Sequence, residues 1–162
     1  MANIIVIYAS MTGNTEEIAE EIAKGIREQA CDVEVKSVLD ASAADLQGYD
    51  GILLGAYTWG NGELPDEFLD FYDDMDSIAL PGKQAAVFGS CDSGYPGFGA
   101  AVDILTDKLK AMGASVTMPG LKIELSPSAQ EKLECQEFGK RFANQVVSNY
   151  VGRKESLPYG YG

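Results

Sequence analysis

The sequence predicts an α/β protein built on a doubly wound, five-stranded parallel sheet with helices on both faces. Short apolar runs rich in β-branched residues alternate with longer amphipathic segments, which is typical of parallel strands covered on both faces. The chain has 162 residues, of which 46% are hydrophobic and 23% charged, enough to close one core. Because no internal repeat or linker is present, we expect one domain over residues 1–150 and a flexible C-terminal tail over residues 151–162.

The first half of the chain predicts three strands and one long helix. Residues 4–9 form a continuous apolar strand, and residues 33–35 and 52–56 form the next two. Between the first two strands, isoleucines recur every four residues opposite a row of glutamates, which predicts an amphipathic helix over residues 15–29. The stretch 40–50 is short, so we expect its crossover to hold only a turn or two of helix.

The second half predicts two more strands and three helices. The strands are residues 85–88 and a segment that starts near Val116 and runs through Ile123. Helices are expected over residues 66–75 and 100–112, and a last helix begins at the capping box Ser128-x-x-Glu131. The side chains that we expect these three helices to bury are Phe68, Leu69, Tyr72, Val102, Leu105, Leu109, Leu133, Phe138, Phe142 and Val146.

Charge excludes several function classes. The chain carries 25 acidic and 12 basic residues, a formal charge of −13, and it has no histidine. A nucleic-acid binder that neutralises phosphates and a polybasic membrane clamp are therefore excluded. Without histidine there is no Ser-His or Cys-His dyad and no imidazole metal ligand. Between residues 37 and 82 every charged residue is acidic, so we expect one strongly negative sector of the surface.

Cysteine usage and the N-terminus indicate the compartment. Cys31, Cys91 and Cys135 are odd in number and widely spaced, and no CxxC pair occurs, which fits free thiols in a reducing environment. No basic segment precedes the first apolar run, and no run approaches the roughly 18 residues of a membrane span. We therefore expect a soluble, cytoplasmic protein without membrane or metal sites.

The loop after the first strand carries a candidate anion site. In a doubly wound sheet, ligands bind at the carboxyl ends of the strands near the switch point. Hydroxyls and backbone N–H groups at a helix N-terminus suit a small phosphate held without any basic residue. The loop has neither the Walker lysine nor a GxGxxG pattern, and an ordinary N-cap with a turn is the alternative. Its residues are Ser10, Met11, Thr12, Gly13, Asn14 and Thr15.

Two further loops carry aromatic residues in glycine-rich surroundings. Trp59 and Tyr95 stand in loops rather than in strands, which places them to stack on a flat ring; a hydrophobic plug or a partner-binding knob is the alternative. The candidate residues after the third strand are Tyr57, Thr58, Trp59, Gly60, Asn61 and Gly62. The candidates after the fourth strand are Ser90, Cys91, Asp92, Tyr95, Phe98 and Gly99.

These three loops resemble those of the flavodoxins in their short-chain form. The matching segments are SMTGNT, TWGNGELPDEF and SCDSGYPGFGAAVDIL. The resemblance implies the strand order 2-1-3-4-5 with FMN bound non-covalently at the switch point. It also implies a low-potential one-electron carrier, not an enzyme, that cycles between quinone, semiquinone and hydroquinone.

The resemblance further implies a role for most of the candidate residues. Trp59 and Tyr95 would flank the isoalloxazine, Asp92 would accept from its pyrimidine edge, and the Gly60–Asn61 peptide would switch on reduction. Cys91 stands where many short-chain members have glycine, and we expect it to act as an apolar filler rather than a redox group. The phosphate would be held by Ser10, Thr12, Asn14, Thr15 and the N–H groups of Met11 and Gly13.

Partners and competing functions follow from charge and loop length. We expect a monomer whose acidic run steers basic-faced redox proteins. The resemblance to flavodoxins implies that these are ferredoxin/flavodoxin–NADP reductase-like donors and oxidase or reductase acceptors. The alternative is an FMN-dependent NAD(P)H quinone or nitro-reductase of the same fold, although the short loops leave no obvious room for a second substrate. A response regulator is set aside, because the acids it needs after strands one and three are missing. A metal-binding structural protein has only scattered carboxylates in its favour.

Overall fold

The protein is an alternating series of strands and helices. The computed structural model describes residues 1–94 and 97–156. Its strands and helices are β1 (Ala2–Tyr8), α1 (Asn14–Arg27), β2 (Cys31–Ser37), β3 (Gly51–Gly55), α2 (Asp66–Asp74), β4 (Gln84–Cys91), α3 (Ala100–Ala111), β5 (Leu121–Glu124) and α4 (Ala129–Ser156). Short 3₁₀ turns at Val38–Asp40 and Ala43–Gly48 fill the crossover before β3, as the short stretch predicts, and another follows α2 at Met75–Ser77.

The five strands form one parallel sheet in the order β2-β1-β3-β4-β5. This confirms the predicted fold class and strand order. The central strand β3 is buried along its whole length, and its register places Ile52 beside Ile5 of β1 and Ala85 of β4. Since neighbouring strands run in the same direction, the loops that follow β1, β3 and β4 emerge together at one edge of the sheet.

Helices cover both faces of the sheet. Helices α2 and α3 pack on one face, around Phe68 and Leu105, and α1 and α4 pack on the other, around Ile22 and Phe142. The second pair approaches closely, because a Cβ built on Gly25 would lie 1.9 Å from a backbone oxygen of α4. Both faces of the sheet are therefore shielded from water, which explains why its inner strands β1, β3 and β4 are apolar without alternation.

Two predicted core residues are on the surface. Leu69 of α2 is 42% exposed and Leu133 of α4 is 58% exposed, so the prediction that they are buried is wrong. Phe68, Phe71 and Met75 share the inner face of α2 and its following turn, at the three- and four-residue spacing that aligns side chains on a helix. Tyr72, predicted to be inward, is only partly buried. The other predicted core residues of these helices are buried: Phe68, Val102, Leu105, Leu109, Phe138, Phe142 and Val146.

The last strand and the last helix differ from their predicted bounds. Strand β5 begins at Leu121 rather than near Val116; before it, only an isolated bridge joins Ser115 to Gln84. The capping box is confirmed, since Ser128 N donates to Glu131 Oε1 at 3.0 Å and Glu131 N donates to Ser128 Oγ at 3.1 Å.

The predicted tail starts too early. Helix α4 continues to Ser156, so residues 151–156 are helical, and the rest of the predicted tail, residues 157–162, lies outside the described residues. A single glycine within a helix costs only about 1 kcal/mol, which a helix of 28 residues tolerates. In the described part of the chain, neither α4 nor any other helix has the length and apolarity needed to cross a membrane.

The two faces of α2 are expected to respond differently to truncation. Phe71→Ala should lower the free energy of unfolding by about 3–5 kcal/mol, because it opens a cavity in the core. Leu69→Ala, on the exposed face of the same helix, should change it by less than about 1 kcal/mol. Urea unfolding of both variants measures the difference. Equal losses would contradict the assignment of the buried face.

Candidate functional site

A cavity of about 500 Å³ lies at the carboxyl edge of the sheet. Its volume is that of a small-molecule site, and its walls come from the loops after β1, β3 and β4, together with one residue after β5. The lining residues are Met11, Thr12, Asn14, Tyr57, Thr58, Trp59, Gly60, Asn61, Ser90, Cys91, Asp92 and Leu125. Three separate loops predicted from the sequence therefore meet at one cavity.

The loop after β1 leaves the start of α1 open. Gly13 precedes the helix with φ 91°, a left-handed conformation that glycine adopts without steric cost. Among the described residues no side chain caps this helix, so its first N–H groups keep their capacity to donate. Ser10 Oγ accepts from Gly13 N at 3.0 Å and shapes the turn. The result is a preformed set of neutral donors at the positive end of the helix dipole.

The hydroxyl of Thr15 is buried next to these donors and has no partner. Its Oγ1 is enclosed, and no hydrogen bond reaches it from the described residues. An enclosed hydroxyl without a partner costs about 1–3 kcal/mol, so such an atom in a native protein calls for a ligand or a bound water. Thr15 directly follows the cavity-lining Asn14. The orphaned oxygen therefore supports an anion at this helix start.

The acidic residues in the first turn of α1 are held by other groups. Tyr8 donates its hydroxyl to Glu16 Oε2 at 2.9 Å. Ser126 Oγ donates to Glu17 Oε1 at 2.8 Å, and Lys132 Nζ lies 3.9 Å from the other Glu17 oxygen. Burial and the Glu16 carboxylate raise the pKa of Tyr8 to about 12, so the phenol remains a donor at neutral pH. Both carboxylates are thus engaged away from the anion-binding loop.

The loop after β3 is a tight turn with an exposed indole at its start. Trp59 N donates to Glu63 O at 2.7 Å and Glu63 N donates to Trp59 O at 2.8 Å. Gly60, at the tip, has φ 56°, a conformation that few other residues adopt. Trp59 is 45% exposed and meets the Tyr57 ring edge to face, with ring centroids 6.4 Å apart. One face of the cavity is therefore a rigid aromatic wall.

The hydroxyl of Tyr57, the second ring of this wall, stays neutral. Burial, and next the charge of the neighbouring Glu67 carboxylate, raise the pKa of Tyr57 to about 12. Beside it, Thr58 Oγ1 accepts from Ala101 N at 3.2 Å, which ties the loop to the first turn of α3. The phenol therefore contributes a polar but uncharged surface to the cavity.

The end of β4 contributes a buried thiol, Cys91, and the loop after it contributes a carboxylate, Asp92. Asp92 Oδ1 accepts from Gly94 N at 2.8 Å, which closes a turn within the loop. Burial raises the pKa of the Cys91 thiol to about 11, and its Sγ lies 3.7 Å from the carbonyl oxygen of Gly89. Cys91 therefore presents a neutral thiol at neutral pH.

Most of the residues predicted from the sequence meet at the cavity, and a few do not line it. Ser10, Gly13 and Thr15 support the anion-binding loop, whereas Gly62, Phe98 and Gly99 lie outside the lining. Tyr95 lies outside the described residues.

Leu125 lines the cavity but was not predicted from the sequence. It directly follows β5, whose end the sequence did not mark. A leucine after a strand carries no chemical signal of its own, and only its position at the carboxyl edge of the sheet could have pointed to it.

Comparison with known proteins identifies the family. A family model described as flavodoxin matches residues 6–139. The chain is 44% identical to "Probable flavodoxin 2" of Bacillus subtilis (strain 168) over 146 residues, covering 90% of this chain and 97% of the relative. It is 42% identical to a flavodoxin of Maridesulfovibrio salexigens over 149 residues, covering 90% and 100%.

A solved flavodoxin structure also matches the fold of this chain. The crystal structure of oxidised flavodoxin 1 from Bacillus cereus aligns with a TM-score of 0.86 and 55% identity. The alignment covers 88% of this chain and 98% of that one. The family-model match over residues 6–139 includes every residue that lines the cavity.

Replacing Thr15 tests the anion site without any cofactor. Thr15→Val removes the orphaned oxygen and keeps the side-chain shape, so the ligand-free protein should gain about 1–2 kcal/mol in free energy of unfolding. The stabilisation that excess inorganic phosphate gives in thermal unfolding should fall in the same variant. The control is Thr106→Val, whose hydroxyl donates to Val102 O at 2.8 Å; it should lose stability and keep the phosphate response. The opposite pattern would exclude Thr15 from the anion site.

Proposed function

This chain belongs to the flavodoxin family of FMN-binding electron carriers, and we propose that the cavity between its β1, β3 and β4 loops is where it holds FMN. The observation that carries this proposal is the uncapped start of α1, with the orphaned Thr15 hydroxyl, beside a cavity walled by Trp59. FMN combines a phosphate dianion with a flat aromatic ring, and these two features need two such surfaces next to each other.

The loop after β1 is proposed to hold the phosphate. Gly13 N already donates to Ser10 Oγ, so the proton of that hydroxyl is available to donate to an anion. Thr12 and Asn14 line the cavity, and the buried Thr15 hydroxyl lacks a partner. Together with the N–H groups of Met11 and Gly13, these neutral donors bind an anion that the net charge of the protein would otherwise repel.

The two later loops are proposed to hold the ring. Bound FMN supplies the one-electron chemistry, and the protein orients it and sets its potentials. Trp59 and Tyr57 give the ring an aromatic wall, and Tyr95 is proposed to cover its other side. One oxygen of Asp92 accepts from Gly94, which leaves the carboxylate able to accept from an N–H of the ligand. The peptide between Gly60 and Asn61, at the tip of the turn, can present either its carbonyl or its N–H to the ring.

The remaining candidates have supporting positions. Thr58, Ser90 and Cys91 line the cavity, and Thr58 also fixes the start of α3. Gly62, Phe98 and Gly99 shape the two loops rather than the cavity wall. The reductase alternative is not favoured, since the named relatives are flavodoxins, which transfer electrons and are not enzymes.

The protein exchanges electrons with redox partners, and we propose that these have basic faces. Glu63 is exposed on the turn after β3, which lines the cavity, Asp66 is exposed at the start of α2, and Asp70, Asp73 and Asp74 are exposed further along that helix. A surface of one sign steers oppositely charged partners toward the adjacent site. Ferredoxin/flavodoxin–NADP reductase-like donors and oxidase or reductase acceptors are the proposed classes.

A cytoplasmic location is proposed on the state of the cysteines. Cys31, Cys91 and Cys135 are all free and buried. Burial raises the pKa of each, that of Cys91 to about 11 and that of Cys135 to about 12. Unpaired thiols are typical of reducing compartments, where disulfides do not persist.

Purification tests the cofactor and the reaction class together. The protein should carry one FMN per chain, seen in the visible spectrum and released by acid. It should be reduced by NADPH only when a reductase is added, because its relatives are flavodoxins, which transfer electrons and are not enzymes. Rapid NADPH oxidation by the protein alone would support the reductase instead. Absence of FMN binding would overturn the proposed site.

Charge variants test partner steering. Electron transfer from the reduced protein to a basic c-type cytochrome should slow as ionic strength rises, because salt screens the attraction. The double variant Asp66→Asn with Asp70→Asn should slow it further at low salt and flatten the salt dependence. Asp32→Asn, an exposed position at the start of β2 on the far edge of the sheet, is the matched control and should behave as wild type. Rates that do not depend on salt would contradict the basic-partner proposal.

A further inference from the structure

Leu125 has an unusual backbone conformation at the edge of the cavity. Within residues 1–94 and 97–156 it is the one residue other than glycine with a positive φ, at 56°. L-residues avoid this region because Cβ crowds the following carbonyl oxygen. A strained non-glycine residue persists where the surrounding structure imposes it, and such residues cluster at functional sites.

Hydrogen bonds between Leu125 and β4 hold the backbone in this conformation. Leu125 N donates to Cys91 O at 2.8 Å, and Leu125 O accepts from Ser90 Oγ at 3.3 Å. Both of these β4 residues line the cavity themselves. The preceding Glu124 accepts from Ser93 N at 3.3 Å and also from the Ser93 hydroxyl. The end of β5 is therefore hydrogen-bonded both to the end of β4 and to the loop that follows β4.

The side chain that this conformation directs is apolar and open to solvent. Leu125 lines the cavity and is 49% exposed. The exposed half of this leucine side chain contributes no burial in the free protein that would offset the backbone strain. A ligand in the cavity that covers the exposed half of the side chain would supply the missing burial.

We infer that Leu125 is a cofactor-contact residue, whose left-handed backbone holds its side chain as an apolar wall against bound FMN. This inference rests on the proposed FMN site and adds a fourth loop, the one after β5, to it. It requires that removal of the side chain weaken FMN binding and that relief of the backbone strain stabilise the protein without FMN. The two effects have opposite directions, and a merely structural role would not produce both.

Three variants separate the two effects. Leu125→Ala removes the side chain and keeps the strain, so the FMN dissociation constant should rise about three- to tenfold for the loss of half a buried leucine. Leu125→Gly also relieves the strain; it should bind FMN as weakly, while the melting temperature of its ligand-free form rises by about 2–4 °C above that of Leu125→Ala. Leu125→Met restores apolar contact and should bind FMN within twofold of wild type.

Leu133→Ala is the matched control, because it removes an exposed leucine from α4 outside the cavity lining. It should leave FMN affinity unchanged. The inference is overturned if Leu125→Ala binds FMN as wild type does, or if Leu125→Gly is no more stable than Leu125→Ala without FMN. A wild-type protein that binds no FMN would instead overturn the proposed function on which the inference rests, so the two failures are distinguishable.

Discussion

Parallel pairing of β1, β3 and β4 is the constraint on which the rest of the structure depends. Strand β3 is buried along its length and hydrogen-bonded on both sides, so its neighbours cannot shift without exposing apolar side chains. In the sheet, β2 lies on one side of β1 and β3 on the other, so the helices that follow β1 and β3 pack on opposite faces of the sheet. This separation keeps the N-terminus of α1 uncovered, and it opens the cavity between the loops.

An anion site in a strongly acidic protein needs a physical explanation. Repulsion from a distant carboxylate is weaker than the attraction of several direct hydrogen bonds. A carboxylate about 10 Å from a phosphate charge repels it by roughly 0.4–1.7 kcal/mol for effective dielectric constants between 80 and 20, less with salt. Each hydrogen bond to a charged group contributes about 1.5–3 kcal/mol. Several donors from one loop therefore exceed the repulsion of scattered surface acids. The two acids in the first turn of α1, Glu16 and Glu17, are held in other contacts by Tyr8, Ser126 and Lys132.

Periodicity and loop chemistry were sufficient to predict the parallel sheet and the three cavity loops, because each has a residue signature, whereas the strand order was implied by the resemblance to flavodoxins. Burial of individual leucines was less predictable. Leu69 directly follows the buried Phe68, and Leu133 lies two residues before the buried Cys135, so a short amphipathic pattern did not fix the helix phase closely enough to separate buried from exposed positions. The extent of α4 depends on tertiary packing rather than on Gly152, and Leu125 was missed because its role comes from backbone geometry, of which leucine gives no sign. The unpartnered state of Thr15 is likewise a property of the fold alone.

The burial of all three thiols bears on how many electrons each molecule can carry. Cys31, Cys91 and Cys135 are protonated at neutral pH and shielded from solvent, whereas oxidants react with exposed thiolates. Cys91 lines the same cavity as the proposed cofactor, and we expect its protonated thiol to act as an apolar filler rather than a redox group. The electrons carried per molecule would then be those of the flavin alone, so every molecule would offer its partner the same capacity.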